Sequence, residues 1–283
     1  MIGRGLMLLV TSVLSVIPVC AQAPLSTAGG TSLDVDINGI LTVIDSRAST
    51  LRQYSRDLRL LREIGGQGWG NDQFDRPAGV WARNGLDVFV ADYGNHRIQR
   101  FDKNLAFVST LSTRDSDNPD QRFGYPLDVS ISRLGELYIC DSENERIVKV
   151  GTSNTIERTF GGYGAGSGRL YHPVMAKCGP GDDIYVLDPP RVLIFDTFGN
   201  SLGELASGMV THPLSIAADQ RTVAVLDSTQ VFFFGPGSRM EGMIPLPAPG
   251  KEGAICCALS RDSLYLLGAS GLTAIPVPLQ PDR

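Results

Sequence analysis

The side chains in this sequence best suited to metal binding or proton transfer are three histidines, His96, His172 and His212. His172 and His212 share a local setting, because each directly precedes a proline, Pro173 or Pro213. Imidazoles bind Zn²⁺ or Cu²⁺, but a catalytic zinc site usually has three protein ligands and a structural site has four. No third histidine stands in this setting. We therefore expect the two histidines to bond to loop backbone, and we predict neither a metal nor another cofactor.

Five aspartates mark a repeated unit. Each follows two apolar residues, as in Val90-Ala91-Asp92, and a sixth copy has Gly268 at this position. The steps between successive copies are 47, 49, 47, 39 and 41 residues. A residue needed by nearly every copy serves the copy itself, so we predict that these carboxylates accept hydrogen bonds from turn N–H groups. Arg97 and Arg146, across the same turn, are predicted to make structural contacts. The aspartates are Asp45, Asp92, Asp141, Asp188 and Asp227.

A second marker fixes the register of the repeat. Pro77, Pro126 and Pro173 each lie 15 residues before their aspartate, and Pro213 lies 14 residues before its own. Apolar residues then alternate with period two, which predicts a strand with one dominant buried face. The predicted core pairs are Leu33/Val35, Val80/Ala82, Val129/Ile131, Ala176/Cys178, Ile216/Ala218 and Cys257/Leu259.

Each full copy contains four runs of strand length, and no segment has sustained helical periodicity. Four-stranded units that repeat roughly every 40 to 50 residues are typical of β-propeller blades. We therefore predict an all-β fold, a single six-bladed β-propeller domain with four-stranded blades over residues 22–283. The last copy has room for only three strands, so its blade is either incomplete or closed by the N-terminal segment. The repeats span approximately residues 31–65, 74–112, 123–161, 170–206, 211–247 and 253–278.

Two segments of biased composition look like ligand-binding loops but lack the context that binding requires. The Gly-rich linkers 65–70 and 161–166 lead to a proline and a strand. A dinucleotide site needs a following helix whose N-terminus meets the pyrophosphate. The acidic run 115–120 lacks the central glycine and the distant glutamate of an EF-hand loop. We interpret the linkers as turns and the acidic run as a solvated loop.

The first 21 residues have the organisation of a secretory signal peptide. Arg4 precedes an apolar run from Leu6 to Ile17, and the following residues fit a cleavage site after Ala21. A run of about a dozen apolar residues is too short to span a bilayer comfortably. We predict a secreted or periplasmic protein without stable membrane insertion. Lipidation at Cys20 is the lesser alternative, because the residue before it is larger than a lipidation motif normally carries.

The four cysteines outside the leader are predicted to be free and buried. Cys140, Cys178 and Cys257 occupy strand positions that other copies fill with apolar residues, and Cys256 directly precedes one of them. Buried thiols in such positions behave as small hydrophobic side chains. An exported protein can form disulfides, and Cys140 with Cys178 is the pairing between neighbouring copies that merits examination.

The repeat resembles the NHL repeat. The resemblance is carried by Gly65-Gly66-Gln67-Gly68, by Phe74-Asp75-Arg76-Pro77-Ala78-Gly79-Val80, and by Asn95-His96-Arg97-Ile98, which the next copy repeats as Asn144-Glu145-Arg146-Ile147. It implies a six-bladed propeller, a fold used mainly as a binding platform and in some relatives for catalysis. Relatives of the peptidylglycine-amidating lyase type place histidines after the proline, whereas His172 and His212 come before it.

Function is best sought where the copies differ. Arg76, Tyr125, His172 and His212 directly precede equivalent prolines, so we expect all four at one mouth of a central channel. By contrast His96 is interpreted as a surface variant of one copy. We predict a monomeric, non-enzymatic protein that binds a protein, peptide or glycan at this mouth. The alternative is a metal-assisted lyase or hydrolase, of the amidating-lyase or lactonase kind, that uses the two histidines. The formal charge of −5 argues against nucleic acid as a partner.

Overall fold

The computed structural model describes residues 30–246, 253–268 and 271–277, which form six antiparallel sheets arranged as the blades of a propeller. Blade 1 contains β1 (Gly30–Val35), β2 (Leu41–Asp45), β3 (Thr50–Tyr54) and β4 (Leu60–Gly65); blade 2 contains β5 (Pro77–Trp81), β6 (Asp87–Asp92), β7 (Arg97–Asp102) and β8 (Phe107–Leu111). Blade 3 contains β9 (Pro126–Ile131), β10 (Leu137–Asp141), β11 (Arg146–Val150) and β12 (Ile156–Phe160); blade 4 contains β13 (Met175–Cys178), β14 (Ile184–Asp188), β15 (Arg191–Phe195) and β16 (Ser201–Glu204). Blade 5 contains β17 (Pro213–Ala218), β18 (Val223–Asp227), β19 (Gln230–Phe234) and β20 (Met240–Pro245); blade 6 contains β21 (Ala254–Leu259), β22 (Ser263–Gly268) and β23 (Gly271–Pro276).

The predicted all-β, six-bladed fold is confirmed. Within each blade the strands follow chain order from the innermost to the outermost, and five blades have four strands. Blade 6 has three among the residues that the structure describes. The N-terminal segment expected as a candidate for its fourth strand lies outside the described residues, as do the leader and Cys20.

The ring closes through side-chain packing between blades 6 and 1. Each innermost strand packs against the innermost strands of both neighbours, and β1 contacts β5 on one side and β21 on the other. Leu33 and Val35 of β1 share an apolar cluster with Ala258 and Leu267 of blade 6. The same kind of cluster fills each of the other five junctions between blades.

The expectation of one dominant buried face on the innermost strands is wrong, because both faces are covered. The predicted core positions face the preceding blade, and all are buried except Ile131, which is half-buried. The alternate positions face the following blade and are buried too, except Met175 and Lys177, which are half-buried. Several of the buried ones are polar, as with Asp34, Ser130 and Ser215. The burial follows from the architecture, since each sheet is stacked between two others.

These polar side chains bond to the backbone of the next blade. The innermost strand is an edge of its sheet, so its channel-side N–H groups have no strand partner. The Ala82 N–H donates to Asp34 Oδ2 (2.8 Å) and the Ala176 N–H donates to Asp128 Oδ2 (3.1 Å). At two further positions the acceptor is a serine hydroxyl. The Cys178 N–H donates to Ser130 Oγ and the Cys257 N–H donates to Ser215 Oγ, each at 3.1 Å. Blades are thus joined by hydrogen bonds as well as by packing.

A buried ion pair occupies the channel. Lys177 Nζ of blade 4 lies 2.7 Å from Asp128 Oδ2 of blade 3, and the exposed fractions of the two side chains are 17% and 2%. Burial lowers the pKa of Lys177, but the carboxylates of Asp128 and Asp34 outweigh it, so the net shift of this pKa is upward. Lys177 therefore carries its charge at neutral pH. Space beside the pair is tight, because a Cβ on Gly79 would lie 2.6 Å from the Cα of Asp128.

Neutralising Asp128 tests how much the Lys177–Asp128 pair contributes to the free energy of unfolding. Asp128→Asn keeps an acceptor for the Ala176 N–H but leaves the buried Lys177 charge with no carboxylate at ion-pair distance, so the free energy of unfolding should fall by about 3–5 kcal/mol. Adding Lys177→Met should recover most of that loss. Urea unfolding at pH 7 measures both. Arg133→Gln, which breaks the exposed Arg133–Asp182 pair, is the control and should have a far smaller effect. Equal stability of Asp128→Asn and wild type would contradict the assignment.

Candidate ligand-binding face

The four candidate residues lie at one end of the ring. We call this end the top face; the innermost strands begin there, and the turns between the second and third strands of each blade lie at the same end. Arg76 and Tyr125 directly precede β5 and β9, while His172 and His212 belong to the corresponding loops of blades 4 and 5. Sequence position therefore brings all four to the same face, on four successive blades.

The repeated aspartates hold the top-face loops in place. Asp92 Oδ1 accepts from the Asp75 N–H at 2.8 Å, and its Oδ2 accepts from Asn95 Nδ2 and Arg97 Nε, both at 2.8 Å. Arg97 then donates to the carbonyl oxygens of Trp69, Gly70 and Gln73. The carboxylate and guanidinium thus fasten the preceding linker to the blade. Asp141 with Arg146 repeats the arrangement in blade 3.

The same device positions the two candidate histidines. Asp188 Oδ1 accepts from the backbone N–H groups of Tyr171 and His172 at 2.9 and 2.6 Å. Asp227 Oδ2 accepts from the N–H groups of Thr211 and His212 at 3.2 and 2.8 Å. These bonds fix the main chain while both imidazoles stay exposed.

Arg76 and Tyr125 meet through a third residue that the sequence did not single out. The Arg76 guanidinium lies 5.2 Å from the centre of the Tyr93 ring, and that ring lies 5.1 Å from Tyr125. The backbone φ angles of Arg76 and Tyr125 are +50° and +47°, in the left-handed region that L-residues rarely adopt. Such conformations persist where the surroundings impose them, often at functional positions. Blades 2 and 3 therefore present one joint cation–aromatic cluster.

His96 belongs to this cluster and is buried, so its interpretation as a surface variant is wrong. Its ring lies 4.0 Å from that of Tyr125, and its Nδ1 accepts a hydrogen bond from the Tyr125 N–H at 3.2 Å. The reason is the turn, which places His96 at φ +53° and directs its side chain beneath the neighbouring blade's loop. Burial, with the positive charges of Arg114 and Arg76, lowers the pKa of His96 below its ordinary value of 6.5. At neutral pH His96 is uncharged.

A second cation–aromatic cluster lies on the linker between blades 3 and 4. The Arg169 guanidinium lies between the rings of Tyr163 and Tyr171, at 5.0 and 4.9 Å from their centres. Arg191 contacts the same Tyr171 ring at 5.2 Å. The Tyr163 side chain is 93% exposed and Tyr171 is 50% exposed. Sequence reasoning missed this cluster; its signal was the aromatic and basic residues within a Gly-rich linker that we treated only as a turn.

The donor set around His172 and His212 does not fit a zinc site. Both side chains are exposed, and His212 Nδ1 lies 3.0 Å from Thr211 Oγ1. Over residues 30–246, 253–268 and 271–277, no group of three or more His, Cys, Asp or Glu side chains is arranged to hold a metal ion. A catalytic zinc needs three protein ligands.

The four described cysteines are free and buried, and burial makes their thiols poor nucleophiles. It raises the pKa of Cys178 and of Cys257 to about 12 and that of Cys140 well above its usual value. In the described parts of the chain no helix is long and apolar enough to cross a membrane.

A known repeat family matches two of the blades in sequence. The NHL repeat family model matches residues 74–101 and 123–150, which cover the first three strands of blades 2 and 3. Blades 2 and 3 therefore contain NHL repeats, and they belong to a ring of six antiparallel blades.

One similar curated protein is the probable peptidyl-alpha-hydroxyglycine alpha-amidating lyase pgal-1 of Caenorhabditis elegans. It is 30% identical over 115 residues, which cover 40% of this chain. The matched region spans only 31% of the length of pgal-1.

Solved structures of similar shape include virginiamycin B lyase from Staphylococcus aureus, with a TM-score of 0.62 and 13% identity over 89% of this chain and 81% of that one. Another is hydrazine synthase of Kuenenia stuttgartiensis, with a TM-score of 0.59 and 10% identity over 92% of this chain and 99% of that one. Their different activities illustrate that a shared fold does not define function.

The buried, neutral His96 should make stability depend on pH. Because its pKa is lower in the folded than in the unfolded state, its contribution is present above about pH 6.5 and is lost as pH falls through the folded pKa. Between pH 7.5 and 5 the free energy of unfolding of wild type should therefore fall more than that of His96→Asn, in which asparagine tolerates the left-handed backbone. Urea unfolding across this range measures the difference.

Glu145→Asn is the matched control, because Glu145 occupies the same turn position of blade 3 with φ +52°. Its pH dependence over this range should parallel that of wild type. Parallel curves for wild type and His96→Asn would contradict the role given to His96.

Proposed function

We propose that this protein is a non-enzymatic binding protein that engages a protein, peptide or glycan through its top face. The observation that carries the proposal is the concentration of exposed aromatic side chains and arginines there. Trp69 is 70% exposed, and Tyr163 and Tyr171 lie on the same face beside Arg169. Arg76 lies there too, over the ring of Tyr93.

These residue types suit recognition. Tyrosine, tryptophan and arginine are enriched at binding hot spots. The two aromatic residues offer large contact area with little conformational entropy to lose, and arginine offers charged hydrogen-bond donors. The loops that carry them are fastened to the blades by the Asp92–Arg97 bonds and their counterparts. Holding a binding surface in one conformation before contact reduces the entropic cost of association.

The proposal includes export, because the leader has the features of a cleaved signal peptide and the net charge is negative. The partner would then be a component of the cell envelope or the extracellular space. We propose a monomer that acts there without a cofactor and without binding nucleic acid.

Site-specific photo-crosslinking in the source cells tests the face. A photoreactive phenylalanine analogue replacing Tyr163 should form a covalent adduct with the partner. The same analogue replacing Leu202, on the outer strand β16 of the neighbouring blade, should not, although Leu202 is also exposed. Adducts of equal yield at both positions, or only at Leu202, would contradict the proposal that the partner binds at the top face.

With that partner purified, Arg76→Ala combined with His212→Ala should weaken binding at least about tenfold, since each removes part of the contact surface. The melting temperature should change little, because both side chains are exposed. Arg158→Ala, on the exposed outer strand β12, is the control for loss of one positive charge. An unchanged affinity of the double variant would contradict the roles of Arg76 and His212.

A second candidate is a lyase of the amidating type, and the similarity to pgal-1 over 115 residues favours it. His172 and His212 are the residues for this role, although the donor set does not fit a closed or catalytic zinc site. The full chain should then release a peptide amide from a peptidyl-α-hydroxyglycine substrate, and His172→Ala should abolish the activity. Elemental analysis of chelator-free protein accompanies the assay. The absence of product, with or without added Zn²⁺, would exclude this candidate.

A further inference from the structure

A large cavity opens at the end of the ring opposite the top face. We call this end the bottom face; the innermost strands end there, and each turns back into the second strand of its blade. The cavity measures 1580 Å³, and the turns of blades 1, 2, 3, 5 and 6 contribute to its wall. Sites for small molecules are usually smaller than this, roughly 300–1,000 Å³, so the volume suffices for one.

Four arginines reach this cavity from equivalent turns. They are Arg83, Arg133, Arg221 and Arg261, on blades 2, 3, 5 and 6. The turns do not need them, because other side chains supply the turn hydrogen bonds. Asn84 Oδ1 accepts from the Asp87 N–H at 2.9 Å, and Asp219 Oδ1 accepts from the Thr222 N–H at 2.8 Å. Their repeated placement has no explanation within the hairpins themselves.

Two of the four are engaged by the protein. Arg133 forms a two-pronged contact with Asp182, with N···O distances of 2.9 and 2.6 Å. Arg83 Nη1 donates to the Leu259 carbonyl oxygen at 2.8 Å. Arg221 and Arg261 are exposed, and neither guanidinium has an ion pair or hydrogen bond with the described residues. Each therefore keeps five N–H donors available in a planar fork.

Acidic side chains also line the cavity, and most are occupied. Asp36 and Asp219 accept from N–H groups of their own turns, and Asp87 pairs with Arg100. Asp262 and Glu241 are the remaining carboxylates in the wall. A ligand here must direct negative groups to the arginines and avoid these carboxylates, which selects for a compact anion with more than one charged group.

We propose that the bottom-face cavity is a second binding site, for a small multivalent anion with carboxylate or phosphate groups held by Arg221 and Arg261. A guanidinium binds either group through two parallel N–H···O bonds. Arg83 and Arg133, already fixed by their protein contacts, border the site. The site is independent of the proposed function, because it lies at the other end of the ring.

Calorimetric titration of the full chain with citrate and with inorganic phosphate tests the site. At low ionic strength at least one probe should bind saturably, with a dissociation constant on the order of 10⁻⁴ M or tighter, and the stronger probe identifies the preferred group. Arg221→Gln with Arg261→Gln should weaken it at least about tenfold. The corresponding double substitution to lysine should bind with intermediate affinity, since it keeps the positive charge but loses the planar guanidinium that donates two parallel bonds.

Arg47→Gln, on a top-face turn, is the control and should bind as wild type does. All variants should fold, because the substituted side chains are exposed. Thermal unfolding verifies this. Failure of both probes to saturate wild type, or equal affinity of wild type and the double glutamine variant, would overturn the proposal.

Discussion

The ring depends on how the open edges of its innermost strands are satisfied. Each of these strands has a sheet on one side and the narrow channel on the other, so its channel-side N–H groups need acceptors that no strand supplies. The neighbouring blade provides them through Asp34, Asp128, Ser130 and Ser215. Asp34 and Ser130 occupy one equivalent position of the innermost strand, and Asp128 and Ser215 occupy another, two residues earlier. A buried N–H group without an acceptor lowers the free energy of unfolding. These side chains therefore hold adjacent blades at a fixed distance and angle.

A second hydrogen-bonded system, farther from the axis, determines the top face. In blades 2 to 5 the aspartate that ends the second strand bonds to the turn and to the loop that enters the blade, as Asp92 does with Asn95 and with the Asp75 N–H. The loops are anchored by their main chain, so their side chains are free to vary. The residue that this frame carries therefore varies between blades: it is Arg76 in blade 2, Tyr125 in blade 3, and a histidine in blades 4 and 5, His172 and His212.

The architecture could be predicted from the sequence because it depends on features that recur. The spacing of the aspartates and prolines defined the repeat, the strand runs extended it to six copies, and the period-two pattern located one of the two buried faces of each innermost strand. Positions that depend on contacts between blades could not be predicted. His96 looked like a surface residue because nothing in its own repeat shows that the loop before Tyr125 covers it. Likewise Arg169 stands in a Gly-rich linker, and only folding brings Tyr163 and Tyr171 to its two sides.

The Lys177–Asp128 pair has a consequence for how the two ends of the molecule relate. With Ser32, Ser215 and Cys256 also buried around it, the channel is filled by side chains at mid-depth. The two ends of the molecule are therefore separated by packed side chains. A ligand bound at one end can influence the other end only through the hydrogen-bonded strands between them. If both proposed sites are occupied, their ligands lie at opposite ends of the ring, with the packed channel between them.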